Sequence, residues 1–248
     1  MIKRLLAAGA LAAATIPTMA NAGVTITGIS GNPGFATGKV IYTPGGIGGS
    51  ASRTSQDLYI GRLHLTGVDN TTLAAVSFDS YCIDIFHYIQ GGTFDIQAFS
   101  LPDATKENQL KRLLSATSGY IGAAAGFEQK RDISAAIQMA VWEIVNESGT
   151  SGYSLDGGLF QIGTTGSVAP TARGIAQGYL SNLDSFSASG AQSYRMLTAV
   201  NPVSNQRQVF LAAAGVPEPS VWGLLILGFG TIGGAMRRRR TTTKFAMA

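Results

Sequence analysis

The 248 residues hold one cysteine and two histidines, and only 13% of them are charged. Each scarcity removes a class of function. One cysteine, Cys82, allows no intrachain disulfide, and with His64 and His87 it shows no metal-ligand spacing, so neither a stapled scaffold nor a metal centre is expected. A cysteine hydrolase needs a histidine within reach of its thiol; neither strand nor helix geometry guarantees that for His87, five residues from Cys82. Glycine-rich stretches such as PGGIGGS lack the Lys-Ser/Thr ending of a phosphate loop, and no internal repeat has a fixed period.

Positive charge is scarce in the middle of the chain and gathered at the ends. The formal +4 includes Lys3, Arg4, Arg237 to Arg240 and Lys244. Residues 23 to 216 keep eleven Lys and Arg against thirteen Asp and Glu, about −2, with no basic patch of the kind nucleic acid needs. At 45% hydrophobic, this body has material for a substantial core.

Both ends read as addresses. Residues 1 to 22 place Lys3 and Arg4 before an apolar run from Leu5 to Ile16 and end Ala20, Asn21, Ala22, the pattern of a secretory signal peptide cut before Gly23. At the other end, the uncharged stretch from Val221 to Met236 stops against Arg237, Arg238, Arg239 and Arg240. As a helix it would rise about 24 Å, slightly short of the roughly 30 Å hydrocarbon core, a gap that snorkelling arginines and local thinning can close. The four arginines would hold that end in the cytoplasm, leaving the body outside the inner membrane.

Residues 216 to 240, with Pro217, Glu218, Pro219, Trp222, the apolar span and the arginine cluster, resemble the PEP-CTERM sorting signal of exported proteins in Gram-negative bacteria, in its PEPxxWA variant with Gly223 in place of the alanine. Residues 241 to 248 extend beyond the point where such signals usually stop. The resemblance implies recognition by an exosortase in the inner membrane and release or transfer to the cell surface or exopolysaccharide matrix.

The body, residues 23 to 213, is expected to be mainly β (α+β): a sandwich-like domain with a small helical part, followed by the C-terminal transmembrane helix. VTITGIS, GKVIYT, DLYIGRLHLTGV, AAVSFDSYCIDIF, SYRMLTAV and RQVFLAA read as strands from their β-branched and aromatic content. Helices are expected after Asp103, from Asp132 to about Glu147, and from Thr171 to Leu183, with a long loop over Ser148 to Pro170. The second helix is the most regular. Ile133, Ala136, Ile137, Ala140, Val141, Ile144 and Val145 hold an i, i+3, i+4, i+7 stripe, which leaves Gln138 at its margin, positioned to tuck against a neighbouring strand.

Tyr81-Cys82-Ile83-Asp84 followed some fifty residues later by Ile137-Gln138-Met139-Ala140-Val141-Trp142 resembles the bacterial thioester domain, best known from Gram-positive surface adhesins. In that family a cysteine sulfur and a glutamine side chain form an internal thioester, which here implies a bond between Cys82 and Gln138. Ile137 stands where the adhesins commonly have Thr. The resemblance implies a stored electrophile shielded from water by Tyr81 or Trp142, with Asp84, His87 or Glu143 as general base for an incoming amine or hydroxyl. It implies single-use covalent attachment to a surface, matrix or host target, without turnover and without a cofactor. The competing reading is a non-covalent structural or carbohydrate-binding surface module in which Cys82 and Gln138 are simply packed.

Overall fold

The computed structural model describes residues 22–43, 53–166, 170–187, 193–201, 205–212 and 228–229. The signal peptide up to residue 21 and almost all of the sorting signal, with Pro217, Glu218, Pro219, Trp222 and Arg237 to Arg240, lie outside the described residues. Among the described residues no helix is long and apolar enough to cross a membrane.

The strands form two sheets rather than a sandwich. Six of them close an antiparallel barrel in the order β1 (Ala22–Gly31), β4 (Leu63–Asp69), β5 (Ala75–Cys82), β9 (Gln208–Ala212), β8 (Ser193–Asn201), β6 (Gly92–Ala98). The other three, β3 (Thr54–Ile60), β2 (Ala36–Tyr42) and β7 (Phe160–Gly166), form a separate sheet in that order. The expected single strand DLYIGRLHLTGV is therefore two strands in two sheets, divided at Gly61. Gly61 has φ +152°, and a Cβ on it would stand 3.1 Å from both the Gly34 carbonyl oxygen and Ser134 Oγ. Only glycine fits that corner without displacing its neighbours.

The helices are α1 (Ala104–Thr117), α2 (Tyr120–Ala123), α3 (Phe127–Asn146) and α4 (Pro170–Ser181), with a 3-10 turn at Leu183–Ser185. Asp103 caps α1 as expected, accepting hydrogen bonds from the N–H groups of Thr105 and Lys106. The long loop contains β7, and its Tyr153, Leu155, Phe160 and Ile162 are buried, so it contributes to the core rather than merely connecting two helices.

α3 is the central element. It begins five residues before the expected start, and every residue from Ser134 to Ile144 is buried. It packs on α1, α2 and α4 and touches β2, β3, β5 and β7, which join both sheets through it. A helix enclosed on all sides has no exposed margin. Gln138 is accordingly fully buried rather than set at the edge of an apolar stripe.

Candidate functional site

Cys82 is the last residue of β5, in the short seam that closes the barrel. β5 and β9 pair only over Ser80↔Phe210, Tyr81↔Val209 and Cys82↔Gln208. Just beyond this seam the Ile83 N–H donates to the Arg207 carbonyl at 3.2 Å. Residues of an antiparallel ladder alternate between hydrogen-bonded and non-hydrogen-bonded pairs, so the Cys82 N–H and C=O point away from β9. On that side β4 pairs with β5 from Leu63↔Ser80 onward, and the same register extended by two residues would put Gly61 opposite Cys82. The Gly61 corner turns the chain away before that can happen, leaving two backbone polar groups to be satisfied inside the protein.

Gln138 supplies both partners. The Cys82 N–H donates to Gln138 Oε1 at 2.9 Å, and Gln138 Nε2 donates to the Cys82 carbonyl at 2.8 Å. The carboxamide thus stands where the next strand's peptide would have been. One helical turn earlier, Ser134 Oγ accepts the Arg62 N–H at 2.7 Å, so the same face of α3 holds both the strand break and the cysteine.

The sulfur meets two further amides. Cys82 Sγ donates to Gln206 Oε1 at 2.8 Å, and Gln208 Nε2 donates to Sγ at 3.2 Å and to Gln206 Oε1 at 2.8 Å. Ser80 Oγ donates to Gln208 Oε1 at 3.2 Å, and Gln206 Nε2 donates to the Asp84 carbonyl at 2.6 Å. Three carboxamides, Gln138, Gln206 and Gln208, therefore converge on one free cysteine that is 8% exposed. Burial pushes its thiol up to about 12, opposed by the hydrogen bond from Gln208.

The remaining predicted residues divide between two regions. Asp84 is buried in the turn after β5, where Oδ1 accepts the Phe86 N–H at 2.9 Å and Oδ2 meets His87 Nδ1 at 2.8 Å. The half-exposed His87 imidazole is thus close in the chain to Cys82, and the Asp84 backbone is tied to the sulfur through Gln206. Trp142, one turn after Gln138, is buried against Phe160 with ring centroids 6.2 Å apart, and its indole N–H has no hydrogen-bond partner among the described residues.

Tyr81 points to the other face of β5 from Cys82, as alternation along a strand requires. There it lines a cleft of about 810 Å³ with Arg62, Asp79, Tyr194 and Phe210, a cleft that Cys82 does not line. Burial raises its phenol. Glu143, five positions after Gln138 and so about 140° round the helix, accepts the Ser154 N–H at 2.8 Å, with Lys106 and Glu147 as its charged neighbours. Neither Tyr81 nor Glu143 is brought to the sulfur. Gln206 and Gln208, which are, had no place in the sequence expectation.

Among the described residues no group of three or more His, Cys, Asp or Glu side chains could hold a metal ion. Comparison of the chain with protein-family models, with curated proteins and with solved structures gives no match to any of them.

Proposed function

We propose that the protein is an exported, exosortase-sorted surface or matrix protein that joins covalently to a target amine or hydroxyl through a thioester between Cys82 and Gln138. The observation that supports this most is the pair of hydrogen bonds by which Gln138 grips the Cys82 peptide, because they hold a carboxamide against the residue that carries the chain's only thiol.

In forming the bond, the sulfur attacks Gln138 Cδ, the C–N bond breaks, and ammonia leaves carrying the thiol proton. For this the sulfur gives up its hydrogen bond to Gln206 Oε1. The Cys82 N–H already points at Oε1, the oxygen on which negative charge develops during attack, so it serves as a one-donor oxyanion site. In transfer, the target nitrogen or oxygen attacks the same carbon, the C–S bond breaks, and the target stays on Gln138 while Cys82 returns to a thiol. His87, oriented by Asp84 and half-exposed, is the base for the proton that the target loses.

The intact mass of the purified protein tests this reading. A deficit of one ammonia is expected in the wild type, none in Cys82→Ala or Gln138→Ala, and a gain of one methylamine on treatment with that amine. A wild-type mass equal to that of the unmodified chain after export would reject it.

A further inference from the structure

We propose that Gln208 is the hydrogen-bond donor that supports the Cys82 sulfur as leaving group, with Ser80 and Gln206 fixing its orientation. This rests on the thioester reading above and adds to it a residue on β9 that the Cys and Gln motifs do not contain.

The geometry assigns the role. Cys82↔Gln208 is a non-hydrogen-bonded pair, the type in which facing Cα atoms come within about 4.5 Å and side chains approach most closely. Both side chains are on the same face, and the Gln208 amide is fully buried. Its oxygen is taken by the Ser80 hydroxyl, which leaves the NH2 to face Sγ at 3.2 Å and Gln206 Oε1 at 2.8 Å. Gln206 cannot turn its own NH2 toward Gln208 without losing the 2.6 Å bond to the Asp84 carbonyl. The chain Ser80 to Gln208 to Gln206 to Asp84 thus has one direction of donation throughout.

When an amine opens the thioester, nitrogen bonds to Gln138 Cδ, the C–S bond breaks, and sulfur keeps its electron pair before taking the proton lost by nitrogen. Negative charge passes through a sulfur from which water is largely excluded. Burial opposes that charge, and the Gln208 N–H is the side-chain donor set against it. A structural amide at this position would need only to be satisfied; one aimed at the sulfur changes the ease with which the thiolate forms.

The test uses the full chain. Protein treated with methylamine carries a free Cys82 thiol whether or not a thioester was present, and its rate of alkylation by iodoacetamide is followed against pH. In Gln208→Leu the logarithm of that rate should run parallel to the wild type but displaced by about one pH unit, roughly tenfold slower at any fixed pH. Opening of the thioester by methylamine should slow by a similar factor. Should Gln208→Leu fail to fold, Ser80→Ala, which frees the Gln208 amide to rotate, should give a smaller displacement in the same direction. Alkylation profiles that coincide with the wild type in a folded variant would overturn the role of Gln208. A wild type without an ammonia deficit would instead remove the thioester reading, and the alkylation profiles would still decide the donor role.

Discussion

Two polar side chains in the buried stretch of α3, Gln138 and Glu143, are handled in opposite ways. Gln138 presents a neutral carboxamide whose two functional atoms both bond to the Cys82 peptide. Glu143 presents a carboxyl of which one oxygen accepts the Ser154 N–H and the other, Oε2, has no partner among the described residues. Burial is the largest influence on Glu143; opposed by the Ser154 N–H and Lys106 and helped by Glu147, it leaves the carboxyl raised to about 8. Lys106 is itself lowered by burial, and its ammonium donates to the Glu147 carbonyl. The first corner is complete as a neutral network of paired donors and acceptors. The second holds an ionisable group that resists ionisation, which makes it sensitive to pH.

The largest effect is expected from breaking the neutral corner. Gln138→Leu leaves the Cys82 N–H and C=O buried without partners, each costing about 1–3 kcal/mol, so a loss of roughly 2–6 kcal/mol should appear in a denaturant melt. Gln138→Glu keeps an acceptor for the N–H but, when ionised, turns an oxygen toward the Cys82 carbonyl. It should fold better at acidic than at neutral pH and show no ammonia deficit.

Glu143→Gln sharpens the comparison with an effect of intermediate size. In the unfolded chain Glu143 ionises near its ordinary 4.5, and in the fold near 8. Its contribution is therefore fully present below about pH 4.5 and is lost as the pH climbs from there to about 8, above which it stays constant. The variant should lack that part of the decline and melt higher than the wild type at pH 8, by about 1–3 kcal/mol, the scale of a relieved buried polar group. Its thioester mass signature should be unchanged, because Glu143 faces away from the sulfur. Trp142→Phe lies between the corners and should matter least: removing an unpaired indole N–H offsets lost packing on Phe160, for a net change within about 1.5 kcal/mol by thermal melt.

Much of this was legible in the chain itself. α1 with its Asp103 cap and α3 with its apolar repeat follow from local patterns, whereas the meeting of Cys82 with Gln138 is implied by the resemblance of two short motifs to the thioester domain. What escaped depended on parity and on contacts between distant segments. Ile60 is buried on one register and Leu63 and Leu65 on the opposite one, a shift at Gly61 that separates β3 from β4. The alternation of Phe160 and Ile162 marks β7, but the surrounding Gly and Ser mask it. Gln206 and Gln208 are two apart, which puts their side chains on one side of an extended chain, yet nothing local tells that this side faces Cys82. Glu143 seemed close to Gln138 by number, and five helical residues carry it to another face.

The most direct test of the Cys82–Gln138 bond is tandem mass spectrometry of the protease-digested wild-type protein, with the two residues identified at the junction of any cross-linked peptide pair. A single linkage joining Cys82 to Gln138, converted by methylamine into a free Cys82 and an N-methylated Gln138, is the predicted result. A free Cys82 beside an intact Gln138, or a linkage to Gln206, whose oxygen lies 2.8 Å from the sulfur, would contradict it.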